Sequence, residues 1–129
     1  MLRAGPGRLA FGHMPLDLSA DDFERLVSDE LDALPDDMVD GLENIAFVVE
    51  DQAPDGQDLL GVYEGVDLTH RDRYGFGELP DRIVLFRLPH LASADSLDDL
   101  RDEVHTTLVH EIGHYFGIDD DRLHDLGWA

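Results

Sequence analysis

Helical spacing of apolar residues predicts one helix near the beginning of the chain. The residues that define its buried face are Phe23, Leu26, Val27, Leu31 and Leu34. Their separation by three or four positions places them on one side of a helix. Ser19 and the two aspartates that follow Ala20 favour the start of this helix, and Pro35 is expected to end it.

Three short apolar runs in the middle of the chain predict β-strands. They cover residues 45–50, 59–64 and 82–88, and the last is expected to stop at Pro89. The intervening stretches 51–58 and 65–81 contain the glycines and prolines that interrupt regular structure, so both are expected to be loops.

A second, longer helix is predicted to open at Asp95 or Ser96 and to end at Gly117. Its buried stripe is made of Leu97, Leu100, Val104, Leu108 and Ile112. With 129 residues, the chain has the length of one domain with a sheet-and-helix core. We assign that domain to residues 14–129, and we expect residues 1–13, rich in glycine and arginine, to be a flexible tail.

Charge and cysteine content exclude several functions. The chain has 30 acidic residues against 9 basic ones, a formal net charge of −21, which disfavours nucleic acid and anionic membrane surfaces as partners. A solvated acidic surface is the most ordinary explanation of that charge. Cysteine is absent, so neither a disulfide framework nor a thiolate metal site can form. No apolar run suggests a membrane span or a signal peptide, so the expected location is cytoplasmic.

The candidate chemistry lies at the end of the long predicted helix, in His110-Glu111-Ile112-Gly113-His114. Residues four apart project from the same side of a helix, so His110 and His114 can bind one tetrahedral zinc ion. Glu111 lies about 100° around the helix from His110. It can therefore miss the metal and act as general base toward a metal-activated water.

A glutamate on a later helix is excluded as the third metal ligand, because Glu111 is the last glutamate in the chain. We therefore expect the third ligand among the aspartates and the histidine of the short segment after His114. Asp120 falls at the last position of the pattern H-E-x-x-H-x-x-G-x-x-D, after the turn expected at Gly117. His124 is the alternative to Asp120, and Asp125 is a further candidate. Asp119 and Asp121 are better suited to capping or beginning a final short helix.

Residues 105–123, HTTLVHEIGHYFGIDDDRL, resemble the small single-domain bacterial zincin-like metallopeptidases. The segments 45–50, 60–65 and 82–88 are similar to that family too, so the resemblance covers about residues 19–126. It implies an α+β fold of minimal zincin type, with a small mixed β-sheet packed on an N-terminal helix and the long motif helix. It also implies His110, His114 and Asp120 as zinc ligands and Glu111 as base.

The expected activity is therefore zinc-dependent hydrolysis of peptide bonds in a peptide or protein substrate. Such chemistry also needs a donor to the developing oxyanion, for which the upstream candidates are Tyr63, His70, Tyr74 and nearby arginines. Ordinary packing is the more common role of such tyrosines. The alternative is a catalytically inactive zincin-like scaffold, or a metal-binding protein, that acts through a protein partner. Carboxylate ligation also means that zinc occupancy could be partial.

Overall fold

A computed structural model of the chain describes residues 2–3, 16–42, 44–65 and 81–125, with the backbone alone at Leu2, Arg3, Asp120, Leu123 and His124. The elements in chain order are β1 (Leu2–Arg3), α1 (Ala20–Asp32), α2 (Asp36–Val39), β2 (Ile45–Glu50), β3 (Leu59–Glu64), β4 (Asp81–Phe86), α3 (Arg87–Ser93), α4 (Leu97–Tyr115) and α5 (Asp120–Asp125).

The two predicted helices begin at the predicted caps. The hydroxyl of Ser19 accepts a 3.1 Å hydrogen bond from the backbone N–H of Asp22, and Ser96 caps α4 in the same way through Asp99. Each cap satisfies one of the amides left without a partner in the first turn of a helix. α1 ends at Asp32, three residues before Pro35, where the sequence predicted its end. Pro35 stands instead at the N-cap of the short helix α2, which the apolar pattern did not predict.

The strands form one mixed sheet in the order β1-β3-β4-β2. β4 pairs in parallel with β2 and antiparallel with β3, and β1 pairs antiparallel with the other edge of β3. The predicted α+β fold, with a mixed sheet packed on an N-terminal helix and a long motif helix, is confirmed. Within the predicted tail, Leu2–Arg3 form β1, whereas residues 4–13 lie outside the described part of the chain.

Both faces of β4 are covered. Ile83 and Leu85 belong to the main core, which joins the sheet to α1 and α4, and Val84 and Phe86 belong to a second cluster with Ala53 and Leu59. This alternation follows from the two-residue period of a strand. The main core contains Phe23 of α1 together with the buried stripe of α4, so it fixes the position of the motif helix against the sheet.

Three details differ from the sequence prediction. The strand predicted over 82–88 covers Asp81–Phe86, and the chain then enters α3, where Pro89 is the third residue. A proline is tolerated in the first turn of a helix because the amides there have no intrahelical acceptor. Leu97 is 43% exposed, so the buried stripe of α4 begins at Leu100. Most of the predicted loop 65–81 lies outside the described residues.

Within the described ranges, no helix is both long enough and apolar enough to cross a membrane.

Candidate metal site

The end of α4 presents the histidine motif and then turns the chain sharply. Gly117 has φ 71°, a left-handed conformation that suits glycine. The N–H of Ile118 bonds to the carbonyl of Gly113 at 2.8 Å, and the N–H of Gly117 bonds to that of His114 at 3.0 Å. This pair of bonds is the Schellman arrangement that ends many helices. The glycine turn predicted after the motif is therefore present.

Glu111 is fully buried in the packing interface between α4 and β3. A Cβ atom on Gly61 of β3 would lie 2.6 Å from Cγ2 of Thr107 and 3.6 Å from Cγ of Glu111. A residue without a side chain at position 61 thus lets the strand backbone lie directly on the helix. A side chain at position 61 would therefore take up space next to Thr107 and Glu111.

The two histidines of the motif are more accessible than Glu111. The side chain of His114 is 37% exposed, and Nδ1 of its ring lies 3.2 Å from Oε1 of Glu111. His110 is half-buried. His114 also lines an open pocket together with Tyr63, Gly65, Gly117, Ile118 and Asp119. The motif thus combines one sequestered carboxylate with an imidazole that reaches a cavity.

The donor chemistry of α4 fits zinc, because two imidazoles one helical turn apart are a common part of such sites. Among the side chains that the structure describes, no three His, Cys, Asp or Glu side chains are grouped so as to hold a metal ion. Asp120 is the first residue of α5, but its side chain and that of His124 lie outside the description. The third ligand therefore stays a prediction.

Asp119 has a role in the fold. Its Oδ1 accepts a 2.9 Å hydrogen bond from the backbone N–H of Arg122, three residues further on. A side-chain acceptor in this position caps the start of a helix, in this case α5. The capping role predicted for Asp119 is confirmed.

Of the tyrosines and the histidine predicted as oxyanion candidates, Tyr63 lies among the described residues, and His70 and Tyr74 fall outside them. The ring of Tyr63 packs edge-on against Tyr115, with ring centroids 6.1 Å apart, and its hydroxyl donates a 2.7 Å hydrogen bond to Oδ2 of Asp81. It lines the same pocket as His114. Tyr63 therefore combines a packing role with a position next to the motif.

The family model for zincin-like metallopeptidases matches residues 41–128, which include β2 to α5 and the whole motif. The chain belongs to the zincin-like metallopeptidase family. The match leaves out β1, α1 and α2.

This zincin-like chain is also similar in structure to a conserved hypothetical protein from T. thermophilus. The TM-score is 0.55 and the identity 26%, over 84% of this chain and 97% of the other. No curated protein matches the chain.

His90 supports the motif helix, although the sequence offered no partner spacing to single it out. The residue is fully buried, with Nδ1 2.9 Å from the carbonyl oxygen of Phe86 and Nε2 3.0 Å from the hydroxyl of Thr107. Because a carbonyl can only accept, Nδ1 carries the proton. The hydroxyl of Thr107 has a single proton, which lies within reach of both Nε2 of His90 and the carbonyl oxygen of Glu103, 2.9 Å away. Burial lowers the pKa of His90 to about 4, which keeps the ring neutral at pH 7. The contact between His90 and Thr107 thus links α3 to α4, one helical turn before Glu111.

Proposed function

We propose that the protein is a zinc-dependent peptidase in which His110, His114 and Asp120 hold the metal and Glu111 is the general base. The observation that carries the proposal is the arrangement at the end of α4, where a fully buried carboxylate contacts an imidazole that faces an open pocket. Membership of the zincin-like family supports the same assignment.

Each residue would have a distinct task. Zinc, when bound, would supply a Lewis acid that polarises a peptide carbonyl and lowers the pKa of a water molecule. Glu111 would accept a proton at its carboxylate and return it to the departing amine. The contact of its Oε1 with Nδ1 of His114 leaves Nε2 as the nitrogen of His114 that would face the metal. The full burial of the Glu111 side chain would limit the positions open to the carboxylate.

The substrate we propose is an extended or unfolded peptide segment with basic residues. A net charge of −21 attracts cationic peptides and repels polyanions. The pocket beside His114 is open and includes Asp119 and the aromatic ring of Tyr63 among its walls. Both features favour a basic side chain near the motif over an acidic one.

Glu111→Gln tests the proposal, because the amide preserves the shape of the side chain and removes its basicity. Cleavage of a quenched fluorescent peptide library, measured with added zinc, should fall by about 100-fold or more, while bound zinc stays at the wild-type level. Asp102→Asn is the matched control, since it makes the same change of charge at an exposed position of α4. The control should keep wild-type cleavage.

The result also separates the peptidase from a scaffold that acts through a protein partner. If wild type binds zinc but cleaves no peptide of the library, and Glu111→Gln alters nothing, the peptidase proposal is wrong and the scaffold alternative takes its place.

A further inference from the structure

β3, the strand that packs on α4, has one of its two edges paired with β1 at the beginning of the chain. β3 pairs with β4 on one side and with β1 on the other, where Leu2 stands opposite Gly61 and Arg3 opposite Leu59. The backbone groups on such an edge would otherwise be available to another extended chain. β1 thus occupies a position in which a peptide could add to the sheet.

This edge leads to the candidate site. Gly61, the partner of Leu2, is the β3 residue that lies on Thr107 and Glu111. Two residues further along β3, Tyr63 lines the pocket that contains His114. Because β1 runs antiparallel to β3, the direction from Arg3 to Leu2 points toward Tyr63. A longer extended peptide in the place of β1 would therefore continue past the motif.

β1 is held by a short ladder. It consists of two residues, and its register with β3 shifts between Leu2 and Arg3. A pairing of this length contributes little stability, so local opening costs much less than global unfolding. β1 also lies outside residues 41–128, which match the family, whereas β3 and α4 lie within them.

The beginning of the chain also differs in charge from the remainder. Residues 1–13, MLRAGPGRLAFGH, contain Arg3 and Arg8 and no acidic residue, although the whole chain has a net charge of −21. A basic segment is what the negative field of this protein attracts. The chain therefore has, in cis, a segment with the chemistry of a favourable peptide ligand.

We propose that β1 is an intramolecular competitor for a peptide-binding edge on β3. The occupant of that edge is a basic extended peptide that adds antiparallel to β3 when β1 leaves. Peptide binding at the edge needs neither zinc nor catalysis. The consequence for cleavage, which is inhibition by the chain's own N-terminal strand, rests on the proposed peptidase function.

The test uses the full chain with Leu2→Pro and Arg3→Pro, because proline lacks the N–H that a strand donates. The probe is a synthetic peptide of residues 1–13 with a fluorophore at its C-terminus, and its Kd is measured by fluorescence anisotropy without zinc. The proline variant should bind the probe at least ten times more tightly than wild type. Leu2→Ala with Arg3→Ala is the matched control, which keeps the backbone donors and should behave much more like wild type.

Two further controls define the site of binding. A probe with proline at its own second and third positions should not bind, and amide chemical shifts of the bound proline variant should change at residues 59–63. An unchanged Kd, no detectable binding, or shift changes confined to β2 at the other edge of the sheet would each overturn the proposal. Amide spectra of the variants also confirm that they are folded.

The outcomes separate this inference from the peptidase proposal. Tighter binding of the probe without any cleavage supports the competing strand and contradicts the peptidase. Cleavage by wild type with the same KM in the proline variant contradicts the competing strand and supports the peptidase. If both proposals hold, KM falls about tenfold in the proline variant and kcat is unchanged.

Discussion

The hydroxyl of Tyr63 donates a 2.7 Å hydrogen bond to Oδ2 of Asp81 and so joins β3 to the start of β4 beside the pocket that contains His114. The proton of this hydroxyl therefore points to the carboxylate of Asp81. Gly65 allows the arrangement, since a Cβ atom there would lie 2.5 Å from Cγ of Asp81. A structural role for Tyr63 follows directly from this geometry.

Tyr63→Phe removes the hydroxyl and keeps the ring that packs against Tyr115. Loss of a partly buried hydrogen bond to a carboxylate should lower the free energy of unfolding by about 1–2 kcal/mol, measured by urea denaturation. Zinc content should not change, and kcat should fall by less than about tenfold. A fall of about 100-fold or more would instead make Tyr63 a donor to the oxyanion.

Gly61→Ala tests the close approach of β3 to α4. The new methyl group would meet Cγ2 of Thr107 at 2.6 Å and the carbonyl oxygen of Val84 at 3.0 Å. Overpacking of this kind should cost about 1–3 kcal/mol of unfolding free energy. Thr107→Ser removes Cγ2 and keeps the hydroxyl that contacts His90, so it should partly rescue the alanine variant. Strictly additive effects in this double-mutant cycle would contradict the proposed contact.

His90 makes stability depend on pH. Its pKa is about 4 in the folded protein and 6.5 in the unfolded chain, so the unfolded chain binds the proton more tightly. The contribution of His90 to stability is therefore complete above pH 6.5 and is lost as the pH falls toward 4, at about 1.4 kcal/mol per pH unit and about 3 kcal/mol in total. Unfolding free energies of wild type and His90→Gln, measured between pH 7 and pH 4 with urea, should converge by that amount. Parallel curves would contradict a buried neutral histidine.

The proposed third metal ligand is tested by alanine substitutions after the glycine turn. If Asp120 is that ligand, Asp120→Ala should weaken zinc binding by at least about 100-fold, because a direct ligand is lost rather than a supporting contact. His124→Ala should change the zinc Kd by only a few-fold. Asp119→Ala is the matched control, since it removes the cap of α5 and should leave zinc binding intact. If His124→Ala causes the larger loss, the assignment of Asp120 is wrong.

Much of the fold was predictable because its signals are local. Apolar spacing and the serines at the N-caps predict the two long helices. The strands β2 and β3 have the predicted bounds. The exceptions depend on tertiary context. α3 begins where an apolar run continues, and its buried residues His90 and Leu91 face a core that no local pattern describes. Leu97 fits the apolar stripe by spacing, but it stands at the first turn, beyond the reach of the core.

The site was predictable where one helix supplies it. Helix geometry places His110 and His114 on one side of α4, and backbone sterics favour a turn at Gly117. Both features could be inferred from the amino-acid sequence alone. The close approach of Gly61 to Thr107 and the link from His90 to Thr107 join residues far apart in sequence. Such contacts depend on how the sheet lies on α4, which a single sequence does not specify.

The zinc content of protein purified without chelator or a nickel column tests the central claim most directly, with His114→Ala beside it. We expect about one zinc per chain in wild type after zinc is offered, and its loss in the variant, while amide spectra show that both are folded. No bound zinc in wild type with excess zinc present, or equal zinc in both proteins, would contradict a metal site on His110 and His114.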